Sequence, residues 1–300
     1  MLQEAVASVL AQSFRDFEII VVDDGSTDGT AAWIGRQSEV RGIFQPRGGV
    51  AAARNAGIGA ARGQFLCFLD DDDVWERGKL ALQVAYLDAH PDCALVASEM
   101  TAFDHRGLIP LRSTARRHRI RNGCVARDLL FANWIQTSSV MVRRTCLDAV
   151  GLFDQELFDQ QSGSFGEDWH LWVRIAARFP IAFMPEPLIR FRLHGASLTA
   201  AAPPESQFES LLHILEKLAA IEPFCDEPWL IDHARYRFCL SYAAENAKAG
   251  DRALAREKLR LARSLFALPV RAWIAIARLG LDRPPQSPRP DMRQQAEAEA

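Results

Sequence analysis

Twice in the first quarter of the chain a short apolar, β-branched run ends in a row of carboxylates. Phe17–Val22 leads into Asp23 and Asp24, and Phe65–Leu69 leads into Asp70, Asp71, Asp72 and Asp73. Runs of this length with little polar interruption read as strands buried on both faces, which requires a sheet covered by helices on each side. Clustered like charges at the end of such a strand repel one another, so they are tolerated where solvent or a cation neutralises them. The pattern constrains the chain to an α/β architecture with its acids along the carboxyl ends of the strands, the edge where open α/β sheets bind ligands.

The flanking periodicity agrees. Leu2, Ala5, Val6, Val9 and Leu10 recur at helical spacing ahead of the first strand. Further helices are predicted near Thr30–Gln37, Gly49–Ala61 and Arg77–Asp88, alternating with strands at Val40–Phe44, Gln64–Leu69 and Cys93–Ala97, which together describe a largely parallel sheet. After a turn at Asp104–Gly107 and an Arg-rich stretch from Arg112 to Arg127, a strand at Ser138–Arg143, a helix at Asp168–Phe179 and strands at Ile181–Met184 and Leu188–Leu193 are expected. Ala200–Pro204 reads as a linker, and beyond it the strand signals stop. Helices are predicted at Ser206–Ile221, Leu230–Ala249, Asp251–Phe266 and Val270–Gly280, with Gly250 and Asp251 as a stop and a new cap. The expected organisation is an α/β domain over 1–200, a helical accessory region over 205–280 and a disordered, Pro-rich tail over 281–300. A parallel sheet ordinarily opens with a strand, whereas this chain opens inside a helix. The native-length protein is therefore expected to carry a strand upstream of Met1.

Composition narrows the function. With 35 Lys and Arg against 38 Asp and Glu, the net charge of -3 supplies no global field for nucleic acid. No apolar stretch reaches the roughly 20 residues of a spanning helix, and no basic region followed by an apolar run opens the chain. The expectation is a cytoplasmic protein whose membrane contact, if any, is peripheral at the inner face. Six scattered cysteines without a C-x-x-C pair read as reduced, mostly buried thiols. Arg112, Arg116, Arg117, Arg119, Arg121 and Arg127, with His118, form either a solvated loop or a surface for a phosphorylated lipid carrier or anionic bilayer.

The carboxylates carry the chemistry. Oxygen ligands such as Asp70–Asp73 suit Mg²⁺ or Mn²⁺, and Mg²⁺ sites typically pair one or two carboxylates with substrate phosphates. Turn and N-cap chemistry accounts for Gly25, Ser26 and Asp28 but not for Asp23 and Asp24. G-x-G-x-x-G and P-loop patterns are absent there, which disfavours dinucleotide and P-loop sites. Gly166-Glu167-Asp168-Trp169 heads an amphipathic helix, whose dipole lowers the Asp168 pKa while burial and neighbouring charge raise it. Arg54 and His194 are weaker signals, since a lone Arg on a helix is ordinarily solvated and a lone His ordinarily structural.

In order and spacing these segments resemble the family 2 glycosyltransferases, inverting enzymes of the nucleotide-diphospho-sugar transferase (GT-A) fold, over roughly residues 2–200. The helix Ala5–Phe14 with Asp16–Asp28 is similar to the family's first helix and nucleotide-binding strand end. Gly49–Gly57, containing Arg54-Asn55, is similar to its next signature, Asp70–Asp73 to its D-x-D motif, and Glu167-Asp168-Trp169 to its E-D motif. The resemblance implies a mixed, mainly parallel sheet flanked by helices, followed by an all-α C-terminal region. It implies nucleotide-sugar contacts from Asp23, Asp24, Arg54, Asp70 and Asp71, with Asp24 and Arg54 at the base and Asp71 at the ribose. Asp72 and His194 would serve a Mg²⁺ or Mn²⁺ ion at the diphosphate, and Asp168 would be the general base. The implied reaction moves a sugar from a nucleotide-diphosphate sugar to a glycan or lipid-linked acceptor, in cell-surface polysaccharide or glycan assembly. The alternatives are a sugar-phosphate nucleotidyltransferase, whose Gly-rich, Arg-bearing N-terminal loop this chain lacks, and a truncated, inactive metal- or nucleotide-binding relative.

Overall fold

The computed structural model describes residues 1–110, 114, 118, 120–157, 166–195 and 203–266. They divide into one unit over Met1–Glu227 and a second beginning at Pro228. The expected helix Val270–Gly280, the tail 281–300, Ala200–Ala202 and Arg112, Arg116, Arg117 and Arg119 lie outside the described residues.

Among the described residues the first unit carries eight strands: β1 (Ile19–Asp23), β2 (Val40–Phe44), β3 (Phe65–Cys67), β4 (Val74–Trp75), β5 (Leu95–Asp104), β6 (Gly107–Ile109), β7 (Met141–Arg143) and β8 (Ile181–Arg192). Its helices are α1 (Leu2–Leu10), α2 (Thr30–Ile34), α3 (Val50–Ala60), α4 (Lys79–Ala89), α5 (Ala126–Phe131), α6 (Arg144–Val150), α7 (Glu167–Arg178) and α8 (Pro204–Leu218). The sheet is mixed. Its main part runs β3-β7-β5-β8-β4 with β6 hairpinned onto β5, while β1 and β2 form a separate parallel pair. The two longest ladders, β5 with β8 and β1 with β2, are parallel, and the short ones are antiparallel. The expected strands at Ile181–Met184 and Leu188–Leu193 are one strand, β8. Its register shifts where Ser98 pairs Met184 but Glu99 pairs Pro187, so the prolines that break the sequence pattern sit at a bulge.

Leu95, Val96 and Ala97 are wholly buried, and Val9, Trp75, Leu87, Met141 and Ile189 pack around this strand. By contrast Ile19–Val22, apolar enough for a fully covered strand, are half-buried, since β1 is paired only with β2 and β3 only with β7 among the described residues.

The linker composition places a domain junction at Ala200–Pro204, whereas the contacts place it between Glu227 and Pro228. Helix α8 stays with the first unit because Lys217 bonds both Asp154 (2.8 Å) and Glu156 (2.6 Å), and Ile214 approaches Gly166 at the head of α7. The second unit contains α9 (Pro228–Lys248) and α10 (Arg252–Leu265), packed through Ala243, Ala255 and Leu259. Gly250 takes φ +89°, and the Asp251 carboxylate accepts from the Leu254 N–H at 3.0 Å, the stop and cap the sequence predicts.

Antiparallel pairing positions the site. Because β7 runs antiparallel to β3, with Cys67 opposite Met141, the turn Thr137–Ser139 that enters β7 lies beside the acids that leave β3. Because β8 runs antiparallel to β4, with Val74 opposite Arg190, the segment Arg192–His194 lies on their other flank.

Candidate active site

The four consecutive acids occupy four different environments. Asp70 donates its N–H to Ser138 Oγ (3.2 Å) and receives Arg54 Nη2 on Oδ1 at 2.8 Å. Asp71 is exposed. Asp72 Oδ2 lies 2.8 Å from His194 Nε2, and its carbonyl accepts from Arg192 Nε at 2.8 Å. Asp73 is 1% exposed, and its Oδ1 accepts the Arg192 N–H at 3.0 Å. Burial pushes its carboxyl up to about 7, against the opposing pull of the Ser138 hydroxyl and that N–H. Arg192 is thus a clamp on the acid loop. It also pairs with Glu4 at 2.5 Å and lies over the Phe103 ring at 4.3 Å.

Arg54, on α3, is sandwiched rather than solvated. Its Nη1 meets Glu167 Oε1 at 2.5 Å, its guanidinium lies 5.4 Å from the Phe153 ring centre, and its side chain is 13% exposed. Phe68, Phe153 and Trp172 form the aromatic floor, with Phe68 and Phe153 edge-to-face at 5.2 Å. Asn55, beside Arg54, locks that floor in place through both its amide atoms, to Phe153 O (2.8 Å) and N (3.0 Å).

Glu167 and Asp168 open α7, whose Trp169, Leu171, Trp172, Val173 and Ile175 are fully buried. The helix can start there because Gly166 takes φ +100°, a left-handed conformation that costs other residues strain. Asp168 is half-buried. Its Oδ2 accepts from Thr137 Oγ1 at 2.9 Å and its Oδ1 from the Trp169 N–H at 2.6 Å. Burial raises both carboxyls above the usual carboxylate range. Nearby Asp168 adds to the rise of Glu167, and Asp70 to that of Asp168, while Arg54 pulls both back. Asp168 has no ion-pair partner of its own among the described residues, since the guanidinium goes to Asp70 and Glu167.

Asp23 and Asp24 turn toward their own loops. Asp23 accepts from the Ser26 N–H at 2.9 Å. Asp24 accepts from the Gly48 N–H (2.8 Å), the Gly49 N–H (2.7 Å) and Gln45 Nε2 (2.7 Å), so it fixes the entry to α3 and with it the position of Arg54. The structure therefore joins Arg54, Asp70, Glu167 and Asp168 in one cluster and Asp72 with His194 in an adjoining pair, and leaves Asp23 and Asp24 as anchors at the rim. The sequence reading passed over the buried hydroxyls Thr137–Ser139 and the clamp Arg192. Thr137, Ser138 and Ser139 are each 3% exposed or less, a burial that three small polar residues in a row do not announce.

For a divalent cation the donor chemistry fits. Asp72 and His194 offer one carboxylate and one imidazole, both about a fifth exposed. No group of three or more His, Cys, Asp or Glu able to hold a metal occurs among the described residues, so further ligands would come from substrate oxygens and water, as in sites completed by phosphates. All six cysteines are free: Cys93, Cys146 and Cys239 are buried, Cys67 half-buried, and Cys124 and Cys225 exposed. No helix among the described residues is long and apolar enough to cross a membrane.

A mixed sheet flanked by helices, with acids gathered at one edge beside a basic clamp, defines a fold of the GT-A glycosyltransferase class, and solved structures share it. S. aureus TarS in complex with UDP-GlcNAc superposes with a TM-score of 0.61 at 17% identity, covering 91% of this chain and 79% of that one. The mannosyltransferase PcManGT from Pyrobaculum calidifontis, in complex with GDP-Man and Mn²⁺, gives 0.60 at 20% identity over 94% and 77%. Residues 1–144 match Glycosyl transferase family 2, and this part of the chain belongs to that family. An uncharacterized glycosyltransferase of Rickettsia conorii is 29% identical over 203 residues, 67% of this chain and 32% of that protein. One from Nostoc is 30% identical over 210 residues, 65% of this chain and 62% of that protein. The chain spans about a third of the length of the Rickettsia conorii relative.

Proposed function

We propose that this protein transfers a glycosyl group, with inversion, from a nucleoside diphosphate sugar to an acceptor hydroxyl. The observation that carries the reading is the separation of roles within one acid cluster. Asp72 is matched with His194, while Asp168, half-buried as Asp72 is, is held by Thr137 and has no ion pair among the described residues. Direct displacement at an anomeric carbon needs those two stations and no covalent nucleophile. Asp168 takes the proton of the acceptor hydroxyl as its oxygen bonds to the anomeric carbon, and the electron pair of the broken bond leaves on the diphosphate. The raised pKa of Asp168 suits it to that proton. Asp72 and His194 would hold a Mg²⁺ or Mn²⁺ ion, which supplies charge stabilisation to the departing diphosphate. Arg54 serves the nucleotide site by fixing Asp70, and Asp23 and Asp24 by fixing the loops around it, with Asp71 left exposed toward the donor. A nucleotide-sugar donor also accords with the UDP-GlcNAc and GDP-Man bound in the structurally similar proteins. The acceptor is proposed to be a glycan or lipid-linked hydroxyl.

The test pairs two variants. With a panel of UDP-, GDP- and dTDP-sugars and Mn²⁺, Asp168→Asn should keep donor binding while transfer falls roughly 10²- to 10⁴-fold. Asp72→Asn should lose Mn²⁺-dependent binding of the nucleoside diphosphate, because an amide removes the charge that holds the cation. Equal losses of binding and transfer in Asp168→Asn would make Asp168 structural, and pyrophosphate release without sugar transfer would overturn the reaction.

A further inference from the structure

The turn Thr137–Ser139 joins the site from both sides. On its upper face Thr137 Oγ1 donates to Asp168 Oδ2 at 2.9 Å, and Ser138 Oγ accepts the Asp70 N–H at 3.2 Å. On its lower face the Ser138 carbonyl accepts Trp75 Nε1 at 2.9 Å and the Ser139 carbonyl accepts Gln83 Nε2 at 2.7 Å. Gln83 is oriented in turn by Lys79, whose Nζ donates to Gln83 Oε1 (2.7 Å) and Val140 O (3.3 Å) and lies 4.2 Å from the Trp75 ring centre. Lys79 and Gln83 are wholly buried on one face of α4, and the proposed reaction uses neither. A lysine taken out of water is costly unless its donors are satisfied, so this post is built at a price that a plain core would avoid.

We propose that Thr137 is a positioning residue for Asp168: its hydroxyl, carried on a turn whose following Ser139 and Val140 carbonyls are held by Gln83 and Lys79, fixes the rotamer of that carboxylate and holds it in the form that accepts a proton. The inference rests on the general-base reading of Asp168. Threonine suits the task, since its branched Cβ restricts χ1 and the aim of the hydroxyl with it. The other groups facing Asp168 are Arg54 from α3, Asp70 from the end of β3 and Glu167 from its own helix. Arg54 is shared between two other acids, so Thr137 is the side-chain donor dedicated to Asp168 among these groups.

The experiment uses the full chain with ¹³C-labelled Asp carboxyls and compares wild type, Thr137→Val, Thr137→Ser and Asp168→Asn, the last assigning the Asp168 resonance. Loss of the hydroxyl should move the Asp168 titration upward by about one pH unit in Thr137→Val, with Thr137→Ser close to wild type. In transfer assays with the donors named above, Thr137→Val should lower kcat about 10-fold or more, move the acid limb of its pH profile in the same direction and leave the donor KM unchanged. An unmoved Asp168 titration in a folded Thr137→Val protein would overturn the proposal, as would a Thr137→Ser protein that behaves like Thr137→Val. A shifted titration together with full activity in Asp168→Asn would leave the positioning bond standing and overturn the general-base reading instead.

Discussion

Replacing Arg54 with Met tests the electrostatics of the cluster. The guanidinium bonds Asp70 at 2.8 Å and Glu167 at 2.5 Å from a position 13% exposed, and Met keeps most of its bulk over the Phe153 ring. Without the cation, Glu167, Asp168 and Asp70 face one another with no compensating charge. Breaking a buried pair by removing one partner costs about 3–5 kcal/mol, and the loss should approach that range toward the alkaline end of the pH window, as Glu167 and Asp168 give up their protons. At lower pH it should shrink. Burial already raises the folded pKa of Glu167 and Asp168 above their unfolded values, and Arg54 is what pulls both down, so in the variant they rise further. Above the unfolded carboxylate values the folded variant then binds more protons than its unfolded chain, so its stability falls as pH rises through the window up to those raised values. Each pH unit by which a folded carboxyl moves further from its unfolded value adds about 1.4 kcal/mol to the difference between the two ends of the window.

The assay is urea unfolding at pH 5.5 and pH 8 for wild type, Arg54→Met, Glu167→Gln and the double variant. Tryptophan fluorescence reports chiefly on the first unit, which holds Trp33, Trp75, Trp134, Trp169 and Trp172. The expected result is a larger Arg54→Met deficit at pH 8 than at pH 5.5, partly restored in the double variant because the facing charge has gone with its partner. A deficit below about 1 kcal/mol, or one equal at both pH values, would show that solvent screens the pair and would refute the argument.

His170 supplies a pH effect of opposite sign. Burial, with help from Arg174, holds its pKa down to about 4, so the unfolded chain takes up a proton between about pH 6.5 and that value. Its contribution is present above that window and lost as pH falls through it, about 3 kcal/mol in all. His170→Phe should flatten that part of the stability profile, and an unchanged slope would place the titration elsewhere. At the head of α7, Gly166→Ala meets both a φ of +100° and a Cβ 2.6 Å from Ile214 Cδ1, so it should cost about 1–2 kcal/mol from the backbone alone. Ile214→Val in the same chain should recover only the steric part, and a neutral Gly166→Ala in thermal melts would mean that the left-handed turn is dispensable.

The strands and helices of the first hundred residues were legible because both periods are strong there. β2 matches its expected span residue for residue, and α3 differs by one at each end. What escaped were the short elements, β4, β6, α5 and α6, of two to seven residues, too brief for a period to declare itself. The mixed character of the sheet escaped in detail for a related reason. Alternating strand and helix patterns imply parallel crossovers, and nothing in the three residues of β7 reveals that they run against β3 and β5. That reversal brings Thr137 to Asp168, two residues 31 apart in sequence, so the positioning bond was invisible until the pairing was known.

The carboxylates were legible as a group but not as individuals, and the difference lies in what neutralises each one. Repulsion among four consecutive acids argues for a cation somewhere near them. The fold distributes that demand unequally. Asp70 is answered by Arg54, and Asp73 by burial that favours its protonated form and by the Arg192 N–H. Asp71 is left exposed with no cationic partner among the described residues, its carboxyl raised by partial desolvation and by Asp72 and Asp70. Asp72 alone is matched with a metal-capable side chain, His194, at an accessible position. The pressure toward a cation that the sequence places on Asp70–Asp73 as a block therefore falls on one residue. In the proposed cation site, one carboxylate and one imidazole leave most of the coordination sphere to the oxygens of a diphosphate. Cation and nucleotide should accordingly bind as a unit, each tightening the other, rather than the cation residing permanently in the protein.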